Sequence, residues 1–147
     1  PQYNNGWNVF AEPSGHINGS YYYLFYECEV PDSYQYAAGW CVARDTLESF
    51  FRHNLVAYGF QKREVDDFIE YWIPRLADSP YYLLYPQGIA DIEKTISLSI
   101  FPQPHAVLRL FYVIKKTTTK ENLTQPLISQ FQRNGFVAVE WGVILQE

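Results

Sequence analysis

Apolar residues along this chain alternate first with period two, then at three- and four-residue spacing, then with period two again, which predicts a β, then α, then β order. The first strand is expected over Trp7–Glu12, closed by the turn cluster Pro13-Ser14-Gly15. Tyr21–Val30 is aromatic and β-branched, ends at Pro31-Asp32-Ser33, and pairs with Gly39–Arg44 as an expected antiparallel hairpin. The period then changes. Asp45-Thr46-Leu47-Glu48 has capping-box spacing, and Leu47, Phe50, Phe51, Leu55 and Tyr58 fall on one helical face that ends at Gly59. Val65, Phe68, Ile69, Trp72, Ile73 and Leu76 mark a second helix that Pro74 ends or kinks. Residues 45–76 therefore read as a helical hairpin inserted between strands and packed on one sheet.

Tyr81–Tyr85, Thr95–Phe101 and Phe136–Leu145 are predicted strands, the last with Val137, Val139, Trp141 and Val143 on one face. Ala106–Lys116 is apolar throughout, which suits a central strand covered on both faces. Lys115–Gln125 reads as a long loop, and Leu127–Arg133 fits either a strand or a short helix. The expected fold is α+β: one domain over 1–147, an antiparallel β-sandwich-like body carrying the helical hairpin.

Composition narrows the partners. At 147 residues and 48% hydrophobic the chain can bury a core, and no apolar run approaches the roughly 20 residues that cross a bilayer. A net charge of −5 opposes nucleic acid and anionic membranes as partners. The chain contains no Met, so Pro1 is read as a cut end. Nucleophile-elbow, phosphate-loop, HExxH and CxxC patterns are missing, and His16, His53 and His105 lack zinc-tetrad spacing, so no cofactor or metal is expected. His53 on the first helix is a candidate general base, against a solvated helix-flank histidine.

Several segments carry a resemblance: Gly6-Trp7-Asn8-Val9, Tyr23-Leu24-Phe25-Tyr26-Glu27, Gly39-Trp40-Cys41-Val42, Phe68-Ile69-Glu70-Tyr71-Trp72-Ile73-Pro74-Arg75-Leu76 and Gly135-Phe136-Val137-Ala138-Val139-Glu140-Trp141-Gly142. In that order the chain resembles an uncharacterised family of secreted or lipoprotein-like bacterial proteins with fungal relatives and no assigned activity. The resemblance implies an extracellular or cell-surface location and a β-rich stretch upstream of Pro1. A sheet lacking those strands would expose an edge that another copy fills by strand addition. His105 departs from the family pattern, in which an acidic residue follows the second proline of Pro102-Gln103-Pro104.

Against that background the candidate chemistry is limited. Cys28 and Cys41 lie on the two arms of the expected hairpin, where a disulfide would stabilise by about 3 kcal/mol; the alternative is two thiols in a reducing compartment. Asn18-Gly19-Ser20 and Asn122-Leu123-Thr124 match the N-glycosylation pattern, a signal that matters in a eukaryotic source. Glu27 and Glu140 sit in apolar strands with Arg109 as their expected partner. They read either as a buried ionic cluster setting strand register or as a carboxylate pair for glycoside hydrolysis. Tyr21, Tyr23, Tyr34, Tyr36, Trp40 and Tyr81 are either glycan-stacking aromatics or core. The reading preferred from sequence is a non-catalytic exported module that self-associates or meets a surface partner, with a carbohydrate-binding or carbohydrate-hydrolysing domain as the alternative.

Overall fold

The protein was analysed as a computed structural model that describes residues 9–146. Gly6, Trp7 and Asn8, and with them the start of the strand expected over Trp7–Glu12, lie outside the described residues. Two compact units divide the chain, one ending at Val30 and the other starting at Pro31.

The first unit is a pair of tight turns. Ile17 forms isolated bridges to Ala11 and Tyr21, and the Gly15 N–H donates to the Glu12 carbonyl (2.9 Å). Asn18 adopts φ +50 and its side-chain oxygen accepts the Phe10 N–H at 2.9 Å, the local bonding that lets asparagine take a left-handed turn. Residues 23–30 are irregular backbone, so the strand expected over Tyr21–Val30 and its hairpin with Gly39–Arg44 do not form. Trp40–Ala43 instead pairs with a later strand.

The second unit is α+β with a four-stranded mixed sheet. Its strands are β1 (Trp40–Ala43), β2 (Tyr81–Gln87), β3 (Ala106–Thr117) and β4 (Val137–Gln146), in that spatial order. β1–β2 and β2–β3 are antiparallel, whereas β3–β4 is parallel, with Leu108 beside Val139 and Arg109 beside Glu140. The expectation of an antiparallel body is thereby corrected at its last pair, which runs parallel, and the described residues form one sheet. Thr95–Phe101 is irregular rather than a strand. Both edges of β3 are occupied, by β2 and β4, and the segment instead contacts a β3 side chain, the Ile96 carbonyl accepting from Arg109.

α1 (Leu47–Tyr58) and α2 (Lys62–Trp72) pack on one sheet face. Phe51 and Phe68 are fully buried between the helices and Tyr112 of β3, at ring separations of 5.3 and 6.0 Å. Each such phenylalanine stabilises the fold by about 2 kcal/mol. The Tyr112 hydroxyl donates to the buried Asn54 side-chain oxygen, which satisfies both groups inside the core.

α1 does not start on the expected capping box. A 3-10 turn over Arg44–Thr46 leads into it with no side-chain cap, and the Glu48 carboxylate turns to Arg52 (2.8 Å) instead. A carboxylate bond of that expected kind lies one helix later, where Glu64 accepts the Gln61 N–H at 2.7 Å. Gly59 ends α1 in the left-handed region (φ +106), and a Cβ there would meet the Phe131 Cβ at 2.8 Å. Pro74 closes α2 in a 3-10 turn over Ile73–Arg75.

The opposite sheet face is buried without helices of any length; the four-residue α3 (Ile89–Ile92) belongs to its cover. Tyr85, Gln87, Arg109, Phe111 and Val113 lie there. Gln87 donates to the Gln35 carbonyl (2.9 Å) and accepts the Gln35 N–H (2.9 Å), while the Tyr36 ring meets Tyr85 edge-on at 5.0 Å. The irregular stretches around 31–39 and 88–104 thus carry the polar backbone that this face must satisfy.

The parallel connection from β3 to β4 is an irregular strap where a helix is usual. Hydrogen bonds tie it down along its length: Glu121 N–H to Cys41 Sγ (3.3 Å), Gly39 N–H to Thr124 O (2.8 Å), Arg133 Nε to Gly59 O (3.0 Å) and Phe136 N–H to His105 Nδ1 (2.9 Å). Leu127–Arg133 is neither strand nor helix.

Gly59→Ala should lower stability by about 1–3 kcal/mol in denaturant unfolding, because it combines backbone strain with overlap on Phe131. Burial pushes Tyr58 up to about 12, and burial together with the bond to Asp32 pushes Tyr36 up to about 12, from an ordinary value of 10. A raised folded value means that the stability is complete below pH 10 and is lost as the pH climbs toward 12. Tyrosinate absorbance at 295 nm should therefore show a late class that rises together with loss of the far-ultraviolet circular dichroism signal.

Candidate functional site

Arg109 and Glu140 are direct neighbours across the parallel β3–β4 pair, which explains their contact from register alone. The Arg109 residue is 3% exposed, and its Nε donates to Glu140 Oε2 at 2.6 Å. Its Nη1 donates to the Ile96 carbonyl (3.0 Å) and lies 3.9 Å from Glu93. One close carboxylate, a carbonyl and a more distant carboxylate thus offset the burial of the guanidinium in part, while its Nη2 is buried without a hydrogen-bond partner among the described residues. Glu27, expected in this cluster, is exposed and lies in the N-terminal unit, because its segment is not a strand of the sheet. Glu93, brought over by the segment after α3, takes the second carboxylate position. Glu140 is held by the arginine at 14% side-chain exposure, an arrangement that locks register and leaves it poorly placed to act as a proton-transferring acid.

The six candidate glycan-stacking aromatics do not form one platform. Tyr34 is buried and bonded to Thr95 (3.1 Å), and Tyr36 donates to Asp32 with Lys115 over its ring, both on the helix-free face. Trp40 packs toward the helices, edge-on to Phe50 at 5.3 Å. Tyr81 is half-buried at the end of β2, whereas Tyr21 and Tyr23 are exposed in the N-terminal unit.

Cys28 and Cys41 are both free thiols, so the expected cross-strand disulfide is absent. Cys28 lies on exposed irregular backbone, and Cys41 on β1 opposite Leu83 of β2. The hairpin that would have faced them never forms. Asn18 and Asn122 are both exposed, the first with its side-chain oxygen engaged by Phe10 and the second on the strap. Among the described residues no group of three or more His, Cys, Asp or Glu side chains is gathered as a metal site, and no helix is long and apolar enough to cross a membrane.

A hollow of about 500 Å³ lies beside β1, lined by Cys41, Val42, Ala43, Thr46, Ser49, Phe50, His53, Tyr81 and Lys120. Sequence reasoning missed it, since the lining comes from β1, α1, the start of β2 and the strap. His53, Cys41 and Tyr81 were each singled out by residue type for other roles, but their meeting was not. His53 Nδ1 donates to the Ser49 carbonyl at 2.6 Å, which leaves Nε2 as the nitrogen available to a ligand.

Comparison with protein-family models, with curated proteins and with solved structures finds no match. The reading of function therefore rests on the residues themselves.

Arg109→Ala should destabilise the domain by about 3–5 kcal/mol in urea unfolding, since it removes the cation beside the largely buried Glu140 carboxylate. Alkylation of native protein without reductant, followed by intact-mass measurement, should add two labels, one on each cysteine; none would restore the disulfide.

Proposed function

We propose that the protein is a non-catalytic exported module that assembles with a second copy of itself through residues 21–26. The supporting observation is an unbroken run, Tyr21-Tyr22-Tyr23-Leu24-Phe25-Tyr26, whose members are each 41–62% exposed. A monomer seldom presents so many consecutive large apolar side chains to water. The run has high β propensity and contains no charge, proline or glycine, the composition that favours strand-to-strand association of identical segments.

Charge selects the direction of pairing. Glu27 and Glu29 follow the run directly, so parallel in-register strands would set like carboxylates against each other. An antiparallel pair centred between Tyr23 and Leu24 places Tyr21 opposite Tyr26 and Glu27 opposite Ser20 of the other copy. That arrangement is self-complementary and closes as a two-fold dimer. The acidic flanks then act as gatekeepers against further growth. The exported location in this reading is supported by the family resemblance alone.

Light scattering on the wild-type chain should give a mass that rises with concentration to twice that of one chain. Tyr23→Lys with Phe25→Lys should hold it at the single-chain mass while leaving the far-ultraviolet circular dichroism unchanged. A wild-type chain that stays monomeric at millimolar concentration would remove the proposal.

A further inference from the structure

Beyond assembly, we infer that the hollow beside β1 is a binding site for a small organic carboxylate, with Lys120 receiving the charge and the apolar wall receiving the body of the ligand. Its volume of about 500 Å³ falls within the size range of small-molecule sites. The wall is apolar where Val42, Ala43 and Phe50 line it, and no carboxylate side chain contributes to the lining. In a chain of net charge −5 that composition is selective. Of the acidic residues adjacent to the lining in sequence, Glu48 pairs with Arg52 at 2.8 Å and Glu121 accepts the Thr117 hydroxyl at 3.2 Å, while Asp45 is not part of the lining.

Among the described residues the Lys120 ammonium makes no ion pair. The backbone that carries it is tethered immediately after Lys120, at and beside β1. The Glu121 N–H donates to Cys41 Sγ (3.3 Å), and the Thr124 carbonyl accepts the Gly39 N–H (2.8 Å). Gly39 itself has to be glycine, since a Cβ there would lie 2.6 Å from the Leu84 carbonyl oxygen. The strap thus carries a cation to the edge of a hollow that otherwise has none of fixed charge.

The remaining polar groups have distinct roles. Thr46 and Ser49 spend their hydroxyl protons on the Ala43 and Thr46 carbonyls (3.0 and 2.8 Å), so they offer only lone pairs. The Tyr81 hydroxyl can donate to a carboxylate oxygen. A ligand with one oxyanion and an aromatic or aliphatic body uses Lys120 and Tyr81 for the charge and Phe50 for the body. Inorganic phosphate would leave the wall unfilled, and a neutral isostere would leave the lysine uncompensated.

Amide chemical-shift titration of the full chain tests this with three probes: benzoate, benzyl alcohol and inorganic phosphate. Benzoate should shift the amides of Cys41, Ser49, His53, Tyr81 and Lys120 and bind more tightly than either other probe. Lys120→Gln, an exposed change on irregular backbone, should weaken benzoate by about threefold or more, the scale of a solvent-accessible charge pair. Equal binding of benzyl alcohol or phosphate, no shifts at these amides, or benzoate affinity unmoved by Lys120→Gln would each overturn the assignment. The site lies outside residues 21–26, so its outcome is separable from that of the assembly experiment.

Discussion

A strand buried on both faces has to be covered twice, and β3 sets that requirement for the whole of the larger unit. From Leu108 to Ile114 every residue is buried. One set of alternate side chains, with Tyr112 at its centre, needs an apolar layer and receives it from α1 and α2. The other set contains Arg109, which needs acceptors as well as cover. No regular helix supplies both; irregular chain and the neighbouring strand do: Ile96 offers a carbonyl, Glu93 and β4's Glu140 offer charge, and Tyr34, Gln35 and Tyr36 close over the neighbouring positions.

That division explains why this protein carries so much irregular backbone on a buried face. Loops normally avoid such positions because their amides and carbonyls go unsatisfied. Here side-chain amides do the satisfying. Gln35 donates to the Ala38 and Pro86 carbonyls, and Gln87 reaches the Gln35 and Tyr85 carbonyls. The strap also ties down the sheet edge, its Glu121 N–H donating to the Cys41 sulfur and its Thr124 carbonyl accepting the Gly39 N–H just before β1. A binding hollow arises as a by-product of that geometry, at the place where a short edge strand, a helix start and a loop meet.

Much of this was legible in the chain. The helical hairpin, its glycine stop and its proline exit follow from three- and four-residue spacing and from two special residues. β3 was recognisable as central from its unbroken apolar run, and the inward face of β4 from period two. The Arg109 and Glu140 contact was foreseeable as a charge-compensation problem, although its third member was misjudged. Glu27 and Cys28 were placed in a strand because Tyr21–Val30 has strand composition, and composition cannot tell a paired strand from an exposed aromatic segment. Thr95–Phe101 misled for the same reason, its alternation real but its backbone irregular.

Local physics written into single segments, namely helical periodicity, a left-handed glycine, a doubly apolar strand and an unpaired charge in need of a partner, was determined by the sequence by itself. Strand partners, the parallel sense of β3–β4, the choice of Glu93 over Glu27 and the meeting of Cys41, His53, Tyr81 and Lys120 around one hollow were decided only in three dimensions. The reason is that periodicity reports which face of an element avoids water, whereas pairing depends on which edges remain open once every other element has been placed.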